Sequence, residues 1–285
     1  MPISLESVSY TYAPGTAFQC RAIDGLSLTV DDGEFVGIMG STGSGKSTLI
    51  QLMAGLLTPS SGRVLLDGED IHPKSYDRIK LRRRVGLVFQ YPEYQLFERT
   101  VEKDVGFALR RLGYGPEETR EAVRRALKTV GLDYDKVRDK SPLGFSGGEK
   151  RRIAIAGVLA SDPGILILDE PVAGLDPLGR DAFLDMVEGL NAKGVTILMV
   201  SHNADALSEH ARRIVTLKEG RVFLDGSVKE VFSDIFALKS CGICCGQSRL
   251  AAELLRKRGM DIPEGTVKYE ELLSSVLSAR GGEGK

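Results

Sequence analysis

Short, almost entirely apolar stretches recur along the middle of the chain, and polar residues follow each of them. These stretches are EFVGIMG (34–40), VGLVFQ (85–90), GILILDE (164–170) and VTILMVSH (195–202). A strand is apolar at nearly every position when helices cover both faces of a parallel sheet. Because helical segments separate the four stretches, the pattern predicts an α/β fold built on a parallel sheet.

The N-terminal part of the chain shows a different pattern, in which apolar and polar residues alternate. Alternation runs through ISLESVSYTY and AIDGLSLTV up to DDG at 31–33, and GRVLLDGED at 62–70 has the same character. A period of two is typical of strands with one exposed face, and Gly and Asp favour the turns between them. We therefore expect an antiparallel β subdomain formed by short strands of 1–33 together with 62–70.

Two further segments are rich in charged residues and helix formers. Residues 93–140 contain EETREAVRRALKTV and predict a helical insertion, which we extend to a helical subdomain over about 93–162. Residues 247–279 predict two amphipathic helices, and the tail RGGEGK is expected to be disordered. The expected organisation is a main domain over 1–235 and a small C-terminal helical appendage over 236–285.

Polar residues that could bind a ligand or take part in catalysis lie where the predicted parallel strands end. Gln90 follows one strand, Asp169 and Glu170 end another, and Ser201 and His202 end a third. Ligands of open parallel sheets bind beyond the carboxyl ends of the strands. A binding site is therefore expected at this edge of the sheet.

Charge and composition exclude several classes of protein. The 285 residues include 38 basic and 39 acidic ones, for a net charge of −1, so the basic excess typical of nucleic-acid binding is absent. No apolar run approaches the length of a membrane span, and MPISLESVSY lacks the regions of a signal peptide. We expect a cytosolic protein that binds no nucleic acid and serves a membrane, if it does, through a partner.

The cysteines are Cys20, Cys241, Cys244 and Cys245, and the cluster CGICC invites a metal interpretation. Structural zinc takes four ligands, and no histidine or second cysteine pair lies nearby in sequence. Free thiols are the expected state, and the role of the cluster stays open.

The segment GSTGSGKS at 40–47 matches the phosphate-binding pattern G-x-x-x-x-G-K-[ST], with a strand before it and LIQLMAGLL after it. In this pattern backbone N–H groups wrap phosphates, the lysine bonds the β- and γ-phosphates, and the hydroxyl binds Mg²⁺. The predicted nucleotide-binding residues are Gly40, Ser41, Thr42, Gly43, Ser44, Gly45, Lys46, Ser47 and Thr48.

Side chains at the other strand ends suit the hydrolysis of a nucleotide. Asp169 is predicted to hold Mg²⁺ through water and Glu170 to polarise the attacking water. His202 could contact the γ-phosphate and that water, and Gln90 could reach Mg²⁺ or water through its amide. Tyr12 is the candidate for stacking on the base, with Tyr10 as a rival.

A second candidate phosphate-binding segment, FSGGE at 145–149, precedes an apolar helix. Ser146 and Glu149 satisfy the S-x-x-E capping box, which predicts a helix N-terminus. A cap does not require Gly147 and Gly148, whereas glycine lets an anion approach the backbone closely. GLDP at 174–177 is a further polar loop with no obvious role in a single chain.

In their order along residues 1–235, these motifs resemble those of the ATP-binding-cassette (ABC) ATPases: GSTGSGKS, Gln90, FSGGE, ILILDE, GLDP and His202. The resemblance implies a P-loop NTPase core over 1–235 that hydrolyses ATP with Mg²⁺. It also implies that a second ABC ATPase subunit packs head to tail with this one, as a homodimer or a heterodimer. The signature loop of Ser146, Gly147, Gly148 and Glu149 would then bind the partner's ATP, and Asp176 would couple the two sites.

The signature differs from the usual family pattern at both ends. Phe145 replaces the usual leucine and keeps an apolar anchor, whereas Glu149 replaces glutamine and adds a negative charge near a polyanion. The effect of Glu149 on the partner site stays open.

A finer resemblance is to the ATPases of energy-coupling-factor (ECF) transporters, which drive vitamin and metal-ion uptake in prokaryotes. It rests on FQYPEYQLFERTVEKDVGF (89–107), SYTYAPGTAF and the C-terminal LRKRGMDIPEG and YEELLSSVL. It implies a membrane scaffold subunit, a substrate-binding membrane subunit, and a peripheral location at the cytoplasmic face of the membrane. Glu93 and Glu98 are candidate partners of scaffold arginines, or they are plain surface acids; the transported substrate is not implied.

Proteins with other functions carry the same nucleotide-binding motifs. The chain could serve another kind of ABC importer, act as a soluble assembly ATPase such as one for iron–sulfur clusters, or be the non-catalytic member of a heterodimer. A chromosome or repair ATPase needs a long coiled-coil insertion, for which the spacing of Lys46 and Asp169 leaves no room. The presence of both Glu170 and His202 argues against a non-catalytic subunit, and the C-terminal appendage argues against an assembly ATPase.

Overall fold

The computed structural model of the chain describes residues 3–281, which fold into two β-sheets and surrounding helices. The strands in this range are β1 (Ile3–Tyr12), β2 (Cys20–Val30), β3 (Phe35–Gly40), β4 (Ser61–Leu66), β5 (Glu69–Asp70), β6 (Val85–Val88), β7 (Ile165–Asp169), β8 (Thr196–Val200), β9 (Arg213–Lys218) and β10 (Arg221–Ser227).

The helices in the same range lie between the strands and after them along the chain. They are α1 (Lys46–Met53), α2 (Arg78–Arg84), α3 (Val101–Val105), α4 (Phe107–Arg111), α5 (Pro116–Thr129), α6 (Tyr134–Val137), α7 (Gly147–Leu159), α8 (Pro177–Asn191), α9 (Ala204–His210), α10 (Val228–Ser233), α11 (Ile235–Ser240), α12 (Gln247–Lys257) and α13 (Tyr269–Gly281), with 3-10 helices at Pro92–Gln95 and Pro142–Gly144.

The larger sheet has the strand order β10-β9-β3-β8-β7-β6. Neighbouring strands from β9 to β6 are parallel, and β10 pairs antiparallel with β9 at the edge. The parallel sheet and its four apolar strands are thus confirmed. The hairpin of β9 and β10 was not predicted; β10 alternates between exposed and half-buried residues because it is an edge strand.

The apolar strands divide their side chains between two cores. Phe35 and Met39 of β3 belong to the core under the helical insertion, whereas Val36 and Ile38 belong to the core shared with α1 and the smaller sheet. Successive residues of a strand point to opposite faces, so a strand with a core on each side must be apolar throughout. This requirement explains the continuous runs in the sequence.

The smaller sheet is antiparallel, with the order β2-β1-β4-β5, and therefore joins the segments that the alternating pattern had grouped. Its first two strands are longer than expected, at 10 and 11 residues. Their pairing shifts register around Ser7, which has a φ of 48°, so a local irregularity lets one long strand bend across the core.

The predicted helical insertion forms helices α3 to α6 and leads into α7. α5 turns Ala122, Val123, Ala126 and Leu127 inwards, at the spacing that one buried helix face requires. α7 packs against α5, α3 and the 3-10 helix Pro92–Gln95. The segment that follows β6 therefore lies directly on the helix that follows the FSGGE motif.

The C-terminal region forms two helices, α12 and α13, as the amphipathic pattern predicted. Ahead of them, four residues belong to the main core, which is the core that contains Phe35 and Met39: Leu238, Cys241, Ile243 and Cys245. A Cβ on Gly242 would lie 3.5 Å from Cβ of Ser41. The domain boundary at 235/236 stays a prediction. Of the predicted disordered tail, 280–281 end α13 and 282–285 lie outside the described residues.

Within residues 3–281, no helix combines the length and the apolar composition that crossing a bilayer requires.

Candidate nucleotide-binding site

The phosphate loop connects the end of β3 to the start of α1, as predicted. Gly45, the residue before α1, has a φ of 104°, and a Cβ there would lie 2.5 Å from the carbonyl oxygen of Ala22. Residues with a side chain rarely adopt this backbone conformation, and the carbonyl oxygen of Ala22 leaves no room for a Cβ. Glycine at this position is therefore a requirement of the loop's geometry.

Two features make this loop suited to phosphate. No side chain caps the N-terminus of α1, so its first N–H groups face the loop unpaired, where the helix dipole favours an anion. Lys46 is only 8% exposed, and its Nζ donates to the carbonyl oxygens of Gly40 (2.6 Å) and Ser41 (2.9 Å). Burial lowers the pKa of Lys46, against the nearby Glu170 and Asp169 carboxylates. The ammonium is thus held over the loop.

Asp169 ends β7, and its carboxylate faces the Ser47 hydroxyl at the start of α1. Burial raises the pKa of Asp169, and the Lys46 ammonium and the Ser47 hydroxyl oppose that rise. A hydroxyl and a carboxylate placed together in this way are the oxygen ligands that Mg²⁺ prefers.

Glu170 follows β7 in a strained backbone conformation. Its φ is 46°, and its N–H donates to the carbonyl oxygen of Val200 at 3.0 Å. Its carboxylate lies 3.6 Å from Nε2 of His202, and it accepts a hydrogen bond from Ser201 Oγ at 3.5 Å. Burial raises the pKa of Glu170, and Asp169 raises it further. Backbone strain of this kind in a residue with a buried carboxyl is characteristic of functional sites.

His202 lies on the outer side of Glu170, with 58% of its side chain exposed. Burial, followed by the Lys46 ammonium, lowers the pKa of His202. A lowered pKa favours the neutral imidazole, in which one ring nitrogen can donate and the other can accept a hydrogen bond.

These groups surround one cavity of about 610 Å³. Predicted residues that line it are Tyr12, Thr42, Gly43, Gly45, Lys46, Ser47, Thr48, Gln90, Asp169, Glu170 and His202. The remaining predicted loop residues, Gly40, Ser41 and Ser44, are not among its lining residues. Cys20, Ala22, Ala173 and Val200 also line it and were not predicted, because none of them carries a recognisable motif.

Tyr12, rather than its rival Tyr10, lines this cavity. Its hydroxyl lies 3.2 Å from Oγ1 of Thr48, and its ring meets that of Tyr10 edge-on with centroids 4.8 Å apart. Tyr10 instead packs against the core beneath the smaller sheet. Of the two candidates, Tyr12 alone lines the cavity, and its role in stacking on a base stays a prediction.

The signature loop, Ser146–Glu149, forms the predicted capping box at the start of α7. Glu149 accepts from the N–H (3.0 Å) and the hydroxyl (2.7 Å) of Ser146, and these bonds lower the pKa of Glu149. None of these residues lines the cavity of their own chain. A Cβ on Gly147 or Gly148 would meet no atom within 4 Å, so the fold of one chain does not require either glycine.

The remaining predicted residues have partners within the chain. Asp176 is exposed and caps α8, accepting from the N–H of Gly179 at 2.7 Å. Glu98 lies 4.0 Å from Arg110, and Glu93 is half-buried. The coupling role of Asp176 and the docking role of the two glutamates stay predictions.

The cysteines are free thiols in the structure. Cys241 and Cys245 are buried, whereas Cys20 and Cys244 are exposed. Within residues 3–281, His, Cys, Asp and Glu side chains form no group of three or more that could hold a metal ion by themselves.

Comparison with known proteins places this geometry in a family. The ABC transporter family model matches residues 23–173. The energy-coupling factor transporter ATP-binding protein EcfA2 of Symbiobacterium thermophilum is 48% identical over 282 residues, covering 99% of this chain and 98% of that protein. EcfA2 of Clostridium acetobutylicum is 46% identical, with 97% of each protein covered.

Two solved structures share the fold. cbiO1 from Clostridium perfringens, part of the ABC transporter complex cbiONQ, has a TM-score of 0.71 at 38% identity, covering 84% of this chain and 93% of that one. A dimeric ATP-binding cassette in a post-hydrolysis state, bound to ADP and phosphate, has a TM-score of 0.69 at 30% identity, covering 79% and 98%. The chain therefore belongs to the ABC transporter ATPases and, within them, to the ATP-binding proteins of energy-coupling factor transporters.

Proposed function

We propose that this chain binds and hydrolyses ATP as one of two cassettes of an ECF-type importer. The importer would take up a vitamin or a transition-metal ion through membrane partner subunits, at the cytoplasmic face of the membrane. The main support for this proposal is the cavity that the phosphate loop shares with Asp169, Glu170 and His202. The chain that forms it matches EcfA2 proteins along nearly its whole length.

The residues present fit MgATP. Tyr12 would stack on the adenine, and the loop amides with Lys46 would hold the phosphates, which would replace the two loop carbonyls as partners of Nζ. Ser47 and Asp169 would hold Mg²⁺, and Gln90 lines the same cavity. Mg²⁺ supplies neutralisation of phosphate charge when bound.

Glu170 would orient and polarise the attacking water, and His202 would contact the γ-phosphate. Oε1 of Glu170 is buried and makes no hydrogen bond within the described residues, so this carboxylate retains an acceptor for water. The nearby imidazole, 3.6 Å away, can donate to a phosphate oxygen in its neutral form, which its lowered pKa favours. The chain thus supplies positioning and electrostatics, which are the main contributions of protein to phosphoryl transfer.

A second cassette would complete each catalytic site. The signature loop lies apart from the cavity of its own chain, and its glycines are unnecessary for the fold of that chain. Both facts follow if the amides of Gly147 and Gly148 serve a phosphate held by another subunit. Asp176, exposed at the start of α8, would lie at the same interface.

The membrane scaffold subunit would dock beside the segment that follows β6. Three exposed aromatic residues cluster there: Tyr91 (42% exposed), Tyr94 (85%) and Phe97 (61%). Exposed apolar patches of this kind mark interaction sites. Half-buried Glu93 and Glu98 lie among them and would accept hydrogen bonds from scaffold arginines.

The proposal is tested by producing the chain with its membrane subunits and replacing one carboxyl group. Glu170→Gln should keep ATP binding, reduce hydrolysis to background and accumulate a closed cassette dimer, as measured by phosphate release and size-exclusion chromatography with ATP. Asp185→Asn, an exposed site on α8, is the control and should behave as the wild type. Full turnover by Glu170→Gln would contradict the assignment, and failure to copurify any membrane subunit would contradict the transporter role.

A further inference from the structure

A buried arginine lies where three functional segments meet. Arg151, in the second turn of α7, is only 4% exposed although its neighbour Arg152 is exposed. Burial lowers the pKa of Arg151, against the Glu93 carboxylate and Tyr91. A buried guanidinium is costly unless its donors are paired, so its contacts indicate what it holds in place.

Arg151 holds the backbone of the loop that follows β7, residues 170–174, which we call the catalytic loop. Its Nη1 donates to the carbonyl oxygen of Ala173 at 2.7 Å, and its Nη2 donates to that of Glu170 at 3.4 Å. Glu170 is the residue whose φ of 46° is strained, and Ala173 lines the nucleotide cavity. Arg151 itself is not among the residues that line the cavity. It can therefore influence the orientation of Glu170 without touching the nucleotide.

The same arginine faces the Gln loop, residues 90–98. α7 packs directly on the 3-10 helix Pro92–Gln95, which carries Glu93. Tyr91 approaches the catalytic loop as well, since its ring lies 3.9 Å from where a Cβ on Gly174 would be. The Gln loop, α7 and the catalytic loop are thus in mutual contact behind the cavity.

The pairing between the two loops is incomplete. Oε2 of Glu93 and Nε of Arg151 are both buried and without a hydrogen-bond partner within the described residues. Because an unpaired buried polar atom destabilises the folded state, a small shift of the Gln loop that joins these atoms would be favoured. In this structure neither atom makes that bond, so a shift of the Gln loop could form an ion pair that is now absent.

We infer that Arg151 is a positioning residue that transmits the position of the Gln loop to Glu170 through an ion pair with Glu93. Docking of the membrane partner beside Tyr94 and Phe97 moves Glu93 relative to Arg151. The guanidinium then shifts against the carbonyl oxygens of Glu170 and Ala173 and reorients the catalytic carboxylate. This inference rests on the proposed function, because it requires a docked partner and an active Glu170.

A double-mutant cycle in the assembled membrane complex tests the inference. The variants are Glu93→Gln, Arg151→Met and their combination, with Arg125→Met, an exposed arginine of the same helical region, as the control. The measured quantities are kcat and KM for ATP. Each single variant should lower kcat about tenfold with KM changed less than twofold, because the nucleotide contacts are untouched. The double variant should lose no more than Arg151→Met alone, and the control should match the wild type.

Independent effects would overturn the inference: a double variant about a hundredfold slower than the wild type shows that the two residues act separately. Unchanged kcat in Arg151→Met would also overturn it. If Arg151→Met does not assemble, the cycle is run with Arg151→Lys, and the same criteria apply. Wild-type hydrolysis that Glu170→Gln abolishes in the same complex keeps the proposed function intact whatever the cycle shows.

Discussion

Replacing Gly148 by alanine separates what the fold needs from what the assembled enzyme needs. Gly148 lies in the first turn of α7, and its added Cβ would meet no atom of the chain within 4 Å. Alanine is the better helix former, so Gly148→Ala should stabilise the isolated chain by about 0.5 kcal/mol. For a chain of this size that corresponds to a rise in Tm of about 1–2 °C.

The same methyl group should damage hydrolysis in the assembled complex. It would project from a face that is open in the single chain, where a partner's phosphate would approach the backbone amide. A hydrogen bond to a charged group contributes about 1.5–3 kcal/mol. Its loss from the transition state corresponds to a reduction of about 10- to 150-fold in rate. One substitution should therefore raise stability and lower activity together.

The assay compares Gly148→Ala with Gly189→Ala, which lies in the exposed interior of α8 and also has no atom within 4 Å of its added Cβ. Thermal unfolding of the isolated chains should show a gain in Tm for both variants. Steady-state phosphate release by the assembled complexes should fall for Gly148→Ala alone. Wild-type hydrolysis by the Gly148→Ala complex would refute the composite catalytic site.

Two further predictions concern the cavity itself. Gly45→Ala should lower the free energy of unfolding by about 1–3 kcal/mol, and by more than Gly43→Ala. The reason is that the backbone oxygen of Ala22 lies against an added Cβ at Gly45, whereas an added Cβ at Gly43 would meet no atom within 4 Å. Thermal unfolding of both variants measures this difference, and equal losses would contradict the steric argument. Maleimide labelling of Cys20, an exposed thiol on the cavity wall, should block ATP binding. MgATP should slow the labelling of Cys20 but not that of the exposed Cys244, as measured by peptide mass spectrometry. Equal protection of both thiols would contradict the placement of the nucleotide.

The parts of the fold that the sequence predicted are those in which burial imposes a pattern. β3, β6, β7 and β8 have a core on both faces and must be apolar throughout, so they stand out from their surroundings. β10 is an edge strand with a half-exposed face, and neither a continuous apolar run nor a chemical motif marks it. The register shift at Ser7 of β1 is a property of the pairing with β2 and has no local signature.

The site was predictable where chemistry dictates residue type. The phosphate loop, the carboxylates at the end of β7 and the capping box all need particular side chains at fixed spacing. The role of Arg151 could not be predicted from the sequence, because most arginines are exposed. Only the packed structure shows that this one is buried against the backbone of Glu170. Ala22 and Ala173 line the cavity only because of their position in the fold, and an alanine in a sequence gives no sign of such a position.

The packing of the C-terminal region affects how a minimal version of this protein should be designed. Leu238, Cys241, Ile243 and Cys245 fill the main core, and Gly242 approaches Ser41 of the phosphate loop. A chain cut at residue 235 would expose apolar surface and remove a neighbour of that loop. Weakened nucleotide affinity in such a fragment would report a damaged loop rather than the removal of a regulatory domain, so fragments for binding studies should extend at least through Gly246.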